Sequence, residues 1–328
     1  MPGLSVQGGM IIDMYDSDPL HTLATMLTPQ LGRVMERAQR GRTLEEWGLN
    51  PHRADPDTPM SLDDADDYEQ KIPEGLTGTV LYPIMNAVDS LAAIDILLAN
   101  AVKSKPFNHH TASVLSLCRT AIECSAQAVW VMCPPERSVR RARAAGLAKI
   151  GAEHAREFHT ELLKAHDNGH RTIPDETYGQ SQHRQKFHDG EIAVLDNLAQ
   201  EKARQYSELI RKSANWIGDN PPTHAHDLLQ GIHFPTLAKQ EYRVCSSFTH
   251  GHSWPIDLLG GRSTDMFAMM ADAIATALVY TESALCLYEA QSTSPDSHRR
   301  FYPERLQVTI NEWRELYSVL DAEASSSE

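Results

Sequence analysis

The sequence predicts an all-α fold: a helical bundle over residues 76–322, an irregular N-terminal extension over 1–75, and a short frayed tail at 323–328. Three observations predict it. From about residue 79 onward, apolar residues recur at helical spacing through long stretches. No stretch sustains period-two alternation between turn signals, which argues against a sheet. Stop signals such as Pro134-Pro135, Asp167-Asn168-Gly169 and Gly251 divide the pattern into separate helices. The 328 residues, 41% hydrophobic and 23% charged, form an ordinary globular balance that excludes a fibrous or wholly disordered chain.

Residues 1–17 are irregular, short helices are expected between 19 and 49, and the acidic, proline-bearing stretch 50–75 reads as a surface loop. The first long helix spans 79–103, with Val80, Ile84, Val88, Leu91, Ile94 and Leu98 on one face and Pro83 in its opening turn. The second spans 109–132 and the third 136–167. A polar loop is expected to about 189, then a fourth helix at 191–217 carrying Leu195, Leu209 and Trp216. The fifth spans 236–250 and ends at Gly251, a residue type suited to a helix C-cap. Helices at 264–291 and 304–321 complete the bundle, and no internal repeat is present.

Net charge is −14, which disfavours broad nucleic-acid binding. The charge is uneven: residues 54–74 hold eight carboxylates against Lys71 alone, a net −7, while 136–149 is net +4 through Arg137, Arg140, Arg141, Arg143 and Lys149. A solvated face is the plain reading of the basic run, and a phosphate-facing patch the sharper one. Five cysteines without C-x-x-C spacing, four of them in apolar helical stretches, read as buried free thiols. With no basic segment leading into an apolar run at the N-terminus, the expectation is a cytoplasmic protein. The apolar segments 76–102 and 264–291 are interrupted by Asp89, Asp95, Asp265, Asp272 and Glu282, so buried helices are expected and no membrane partner.

Charged residues inside apolar helices are where chemistry is sought. Arg119, Glu123 and Gln127 recur at i, i+4 and i+8 on a helix that is otherwise apolar nearly all round. Burying a guanidinium and a carboxylate costs several kcal/mol unless they pair, so the stripe must face a partner, a polar seam or a cavity. A register-fixing ion pair is the plain alternative. Lys239, Arg243, Ser246 and His250 form a matching stripe on the helix 236–250. His250 falls in its last turn, where the helix dipole favours an imidazolium, a setting suited to proton transfer near neutral pH.

The segment from Arg243 to His250, an R-x6-H element, resembles the motif that marks the HEPN superfamily of helical proteins, many of which are RNA-cleaving toxins or defence proteins. The context 80–290 also resembles an uncharacterised helical family distantly related to it. There a helix reading Arg-Thr-Ala-Ile-Glu, here Arg119 to Glu123, precedes a helix carrying Tyr-Arg, Ser and His-Gly, here Tyr242-Arg243, Ser246-Ser247 and His250-Gly251. Val244 departs from the polar residue that commonly follows the arginine in HEPN nucleases. The resemblance implies an HEPN-like bundle and metal-independent RNA cleavage without a cofactor. His250 would move the proton and Arg243 would stabilise charge on the phosphate. Arg119, Glu123, Ser246 and Ser247 would form a supporting polar seam at a homodimer interface.

Two rivals stand beside this reading. One is a non-catalytic helical scaffold or partner-binding protein. The other is a metal-dependent phosphohydrolase, since His166-Asp167-Asn168-Gly169-His170 is similar to the H-D-x-G-H element of the HD family, although a helix C-cap explains the segment equally well. His224-x-His226 and His250-x-His252 could each share a cation but are more simply loop histidines. No G-x-G-x-x-G, Walker A or complete nucleophile-elbow sequence is present.

Overall fold

The computed structural model describes residues 29–66, 68–72, 75–104, 108–202, 205–259 and 263–324, and among these every regular element is helical. The α-helices are α1 (Pro29–Arg42), α2 (Glu45–Leu49), α3 (Pro59–Asp64), α4 (Tyr68–Lys71), α5 (Gly75–Lys103), α6 (Thr111–Met132) and α7 (Arg137–Asp167), followed by α8 (Asp175–Leu195), α9 (Tyr206–Asp219), α10 (His226–Leu229), α11 (Phe234–Thr249), α12 (Ser263–Ser292) and α13 (Gln307–Ala324). Short 3-10 turns cover Thr223–Ala225, Trp254–Leu258 and Glu304–Leu306. Helices α5, α6 and α12 pack on one another at the centre; α1 and α13 close on α12, and α9 and α11 close on α6. α12 is apolar all round, with Met270, Ile274, Leu278, Leu285 and Leu287 fully buried. α5 and the segment Thr264–Ser292 are long and apolar enough to cross a membrane by composition; both are core helices here, and 94% of the second's most apolar window is buried.

The extension, where it is described, is not set apart from the bundle. Val34, Leu44, Trp47, Met60 and Ile72 are fully buried and belong to the same core cluster as α5 and α12. The acidic stretch expected as a loop contains α3 and α4 and lies against the start of α7. Arg140 clasps Asp63 in a buried two-point pair (2.6 and 2.9 Å), Arg137 meets Asp66 at 2.9 Å, and the Arg141 Nε donates to the Asp63 carbonyl at 2.6 Å. The basic run is therefore neither a solvated face nor a phosphate patch. Arginines in a first turn oppose the helix dipole, and the docked acidic segment offsets that penalty. Residues 1–17 and the tail beyond 324 lie outside the described residues.

Three expected boundaries change. α5 begins at Gly75, so Pro83 sits inside the helix and not in its opening turn; the Thr79 carbonyl loses its i+4 donor there. The start is fixed by Asp64, whose carboxylate accepts from the Leu76 N–H at 2.6 Å. The stretch expected as a polar loop is largely α8, which pairs with α7 as a hairpin. α8 buries only Ser181 and Leu195, so no apolar stripe marks it as a helix. The helix expected at 191–217 breaks between α8 and α9. Asn197 caps the Ala193 carbonyl at 2.8 Å, and the Glu201 N–H turns to the Ala142 carbonyl at 2.9 Å.

α12 carries two sealed carboxylates. Glu282, with no exposure, receives Arg40 (3.0 and 2.8 Å) and Arg305 (3.2 and 2.7 Å), and the His224 Nε2 lies 3.2 Å away. Glu289 accepts from the Trp47 indole at 2.6 Å and the Thr293 hydroxyl at 2.7 Å, with the His52 Nε2 at 3.1 Å. These polar nodes tie α1, α2 and the 3-10 turns Thr223–Ala225 and Glu304–Leu306 to the central helix. All five cysteines are free; burial pushes the Cys118 and Cys245 thiols well up.

Candidate functional site at the α6–α11 seam

α6 spends its apolar faces on α5, α9 and α12, leaving Arg119, Glu123 and Gln127 half-buried at its outer edge. α11 runs beside it with Val244 and Cys245 buried. α11 ends in a paired C-terminal turn: Gly251, at φ +69°, donates to the Phe248 carbonyl (3.2 Å) and His252 to the Ser247 carbonyl (2.9 Å). That turn delivers His250 over α6.

There the Arg119 Nη1 lies 3.1 Å from the His250 Nε2, while its Nε donates to the Glu123 Oε1 at 2.9 Å. The Tyr242 hydroxyl donates to the same carboxylate oxygen at 2.8 Å, and the guanidinium sits 5.9 Å from the Tyr242 ring centre. The Thr249 hydroxyl reaches Ser116 at 3.1 Å, closing the seam. A guanidinium only donates, so Nε2 is the acceptor and a neutral His250 carries its proton on Nδ1. Burial, with the Glu123 carboxylate alongside, pushes the Tyr242 phenol up to about 12. The Arg119 and Glu123 side chains are 18% and 16% exposed, and His250 is open to solvent. The seam thus presents an imidazole at the water's edge, held by a guanidinium that is itself anchored from behind.

The residues expected from sequence divide clearly. Arg119, Glu123 and His250 come together. Arg243 does not join them: its side chain is exposed and has no partner among the described residues. Seven residues along a helix advance about 10 Å, so Arg243 and His250 share a face without touching. Ser246 contributes its backbone carbonyl to the His250 N–H (3.0 Å). Ser247 is buried and turns its hydroxyl to the Arg243 carbonyl (2.8 Å), within its own helix. Gln127 lies farther along α6, lining a separate cleft of about 460 Å³ with His188 and Glu191.

Sequence reasoning passed over Glu241. One of its carboxylate oxygens is sealed without a partner, and burial, reinforced by the Asp272 charge, pushes it up to about 7. Its spacing from Ala238 and Cys245, both buried, was the available signal that it lies on the apolar side.

Among the described residues no group of three or more His, Cys, Asp or Glu is placed to hold a metal ion. The H-D-x-G-H segment is the C-terminal turn of α7: His170 and Arg171 donate to the Ala165 carbonyl, Gly169 takes φ +72°, and Asp167 accepts from the Tyr178 hydroxyl at 3.0 Å. His224 is spent on Glu282. No protein-family model, no curated protein and no solved structure matches the chain.

Proposed function

We propose that the α6–α11 seam cleaves RNA phosphodiesters without a metal ion, with His250 as the proton-transfer group and Arg119 as its direct partner. The 3.1 Å contact between the Arg119 Nη1 and the His250 Nε2 at a solvent-open edge carries the reading. An entering phosphate draws Nη1 to itself through a charge-assisted hydrogen bond. This frees the Nε2 lone pair to take the ribose 2′-hydroxyl proton. The 2′-oxygen attacks the adjacent phosphorus and the 5′-oxygen leaves with a proton, giving a 2′,3′-cyclic phosphate and a free 5′-hydroxyl. His252, whose ring centre lies 6.0 Å from that of His250, is the group assigned to protonate the leaving oxygen. Arg119, anchored by Glu123, stabilises the charge that develops on phosphorus. Arg243 engages a neighbouring phosphate from its exposed position. A homodimer facing this seam belongs to the same reading.

The test is incubation of the purified chain with end-labelled single-stranded RNA in EDTA. Wild type should yield cyclic-phosphate ends, and His250→Ala and Arg119→Ala should each lower the rate by about 10²–10⁴-fold. Intact RNA with wild type, or undiminished cleavage by His250→Ala, overturns the proposal. A second reading then stands on a specific observation. Directly after the seam, Trp254, Ile256 and Leu258 expose 42%, 59% and 58% of their surface on one 3-10 turn, as a protein-docking segment would.

A further inference from the structure

Away from the seam, the chain leaves α12 at Ser292 and returns through residues 293–303 to α13. A cavity of about 250 Å³ opens between this return and α13. Three arginines line it, Arg299, Arg300 and Arg314, together with neutral donors such as Ser294, Ser297 and Tyr302, and no carboxylate does. In a chain of net charge −14, a cavity lined by three arginines, only one of them paired with a carboxylate, is a local reversal of sign.

The arginines are incompletely satisfied. Arg299 reaches outward to Asp55 (2.5 Å), and Arg314 uses its terminal nitrogens on Asn311 (3.4 Å) and the Thr293 carbonyl (3.2 Å). Their Nε atoms are both shut off from solvent without an acceptor. Arg300 is exposed and has no protein partner among the described residues. A buried donor left unmade costs about 1–3 kcal/mol, more when charged, and like charges gathered in one cavity add repulsion. The sealed Nε atoms lie out of a ligand's reach, so what the cavity offers an anion is Arg300, exposed and unpaired, and the Arg314 guanidinium, whose terminal nitrogens meet only neutral acceptors. The rim is already braced: the Asp55 carboxylate accepts from the Ser294 N–H at 2.9 Å, and the Asp55 N–H donates to the Ser292 carbonyl at 2.7 Å.

We infer that this cavity binds the phosphate group of a small phosphorylated ligand. A phosphate monoester carries nearly two negative charges and three acceptor oxygens, which matches these guanidiniums better than the two oxygens of a carboxylate. The volume lies below the roughly 300–1,000 Å³ of drug-sized sites, so the ligand is no larger than a sugar phosphate. The cavity shares no lining residue with the α6–α11 seam, and its failure would leave the RNA reading untouched.

The full chain is titrated calorimetrically with inorganic phosphate, ribose 5-phosphate, ribose and acetate at matched ionic strength. Saturable binding of the two phosphates, with none of ribose or acetate, is expected. Tighter binding of the sugar phosphate assigns a phosphorylated metabolite, and equal binding assigns free phosphate; both support the site. Arg300→Ala, which removes a side chain without partners and so keeps the fold, should weaken binding at least tenfold, whereas Arg243→Ala should not change it. Absence of saturable phosphate binding, a response matched by acetate, or equal affinity in wild type and Arg300→Ala overturns the inference.

Discussion

Replacing Glu282 by Gln removes the one negative charge on which Arg40, Arg305 and His224 converge. Burial alone would raise this carboxyl, yet contacts from His224 and Arg40 and their charges hold it at about 2, against an ordinary 4.5. That interval corresponds to about 3 kcal/mol at neutral pH. Removing one partner of a buried ion pair typically destabilises by about 3–5 kcal/mol, an independent route to the same size. The sign follows from the depressed value. The contribution is complete above pH 4.5 and fades as pH falls towards 2, because the unfolded chain then takes the proton first. Urea unfolding followed by far-ultraviolet circular dichroism should therefore place Glu282→Gln about 3 kcal/mol below wild type at pH 7, with the gap roughly halved at pH 3. A gap under about 1 kcal/mol at pH 7, or one that does not change with pH, refutes the assignment of Glu282 as the ionised hub of α12.

Glu241 should show the opposite profile. Burial and Asp272 raise it to about 7, so ionisation opposes the folded state as pH climbs from 4.5 through 7, and Glu241→Gln should melt higher than wild type at pH 8 but not at pH 5. Gly75→Ala should destabilise by about 2–3 kcal/mol, because a Cβ there would stand 2.3 Å from the Asp64 Oδ1 at φ +69° and displace the cap of α5; chemical denaturation reads this directly.

The central helices were legible because burial writes itself into sequence periodically. Val80, Ile84, Leu91 and Leu98 recur on one face, and α12 is apolar enough to announce a core position. α8 was illegible for the complementary reason: a helix that buries two side chains leaves no periodic record, and its stability comes from α7 alongside it. The docking of the acidic segment on α7 is a match between two runs roughly 75 residues apart. Each run was visible by itself, and nothing local linked them. The site shows the same division. Arg119 with Glu123 is an i, i+4 pair and was legible, whereas Arg119 with His250 depends on how the C-terminal turn of α11 aims one imidazole. Arg243 and His250 share the helix face that their spacing shows, and the about 10 Å advance between them keeps the two side chains apart.

The charged residues set into apolar helices do not gather in one pocket; they divide by access to water. Glu282, Glu289 and Asp63 are no more than 1% exposed and each faces donors that match its oxygens, so they have no valence left for a substrate. Such clusters act on stability alone, and substitutions there should lower the folded fraction while leaving the properties of each folded molecule unchanged. Arg119 and Glu123 are anchored on one side and open on the other, and His250 stands at the open side. Removing an exposed imidazole usually shifts stability by no more than about 0.5 kcal/mol. His250→Ala should therefore keep the wild-type unfolding midpoint while losing RNA cleavage. A midpoint that falls as far as in Glu282→Gln would place His250 with the structural clusters and remove the chemistry from the seam.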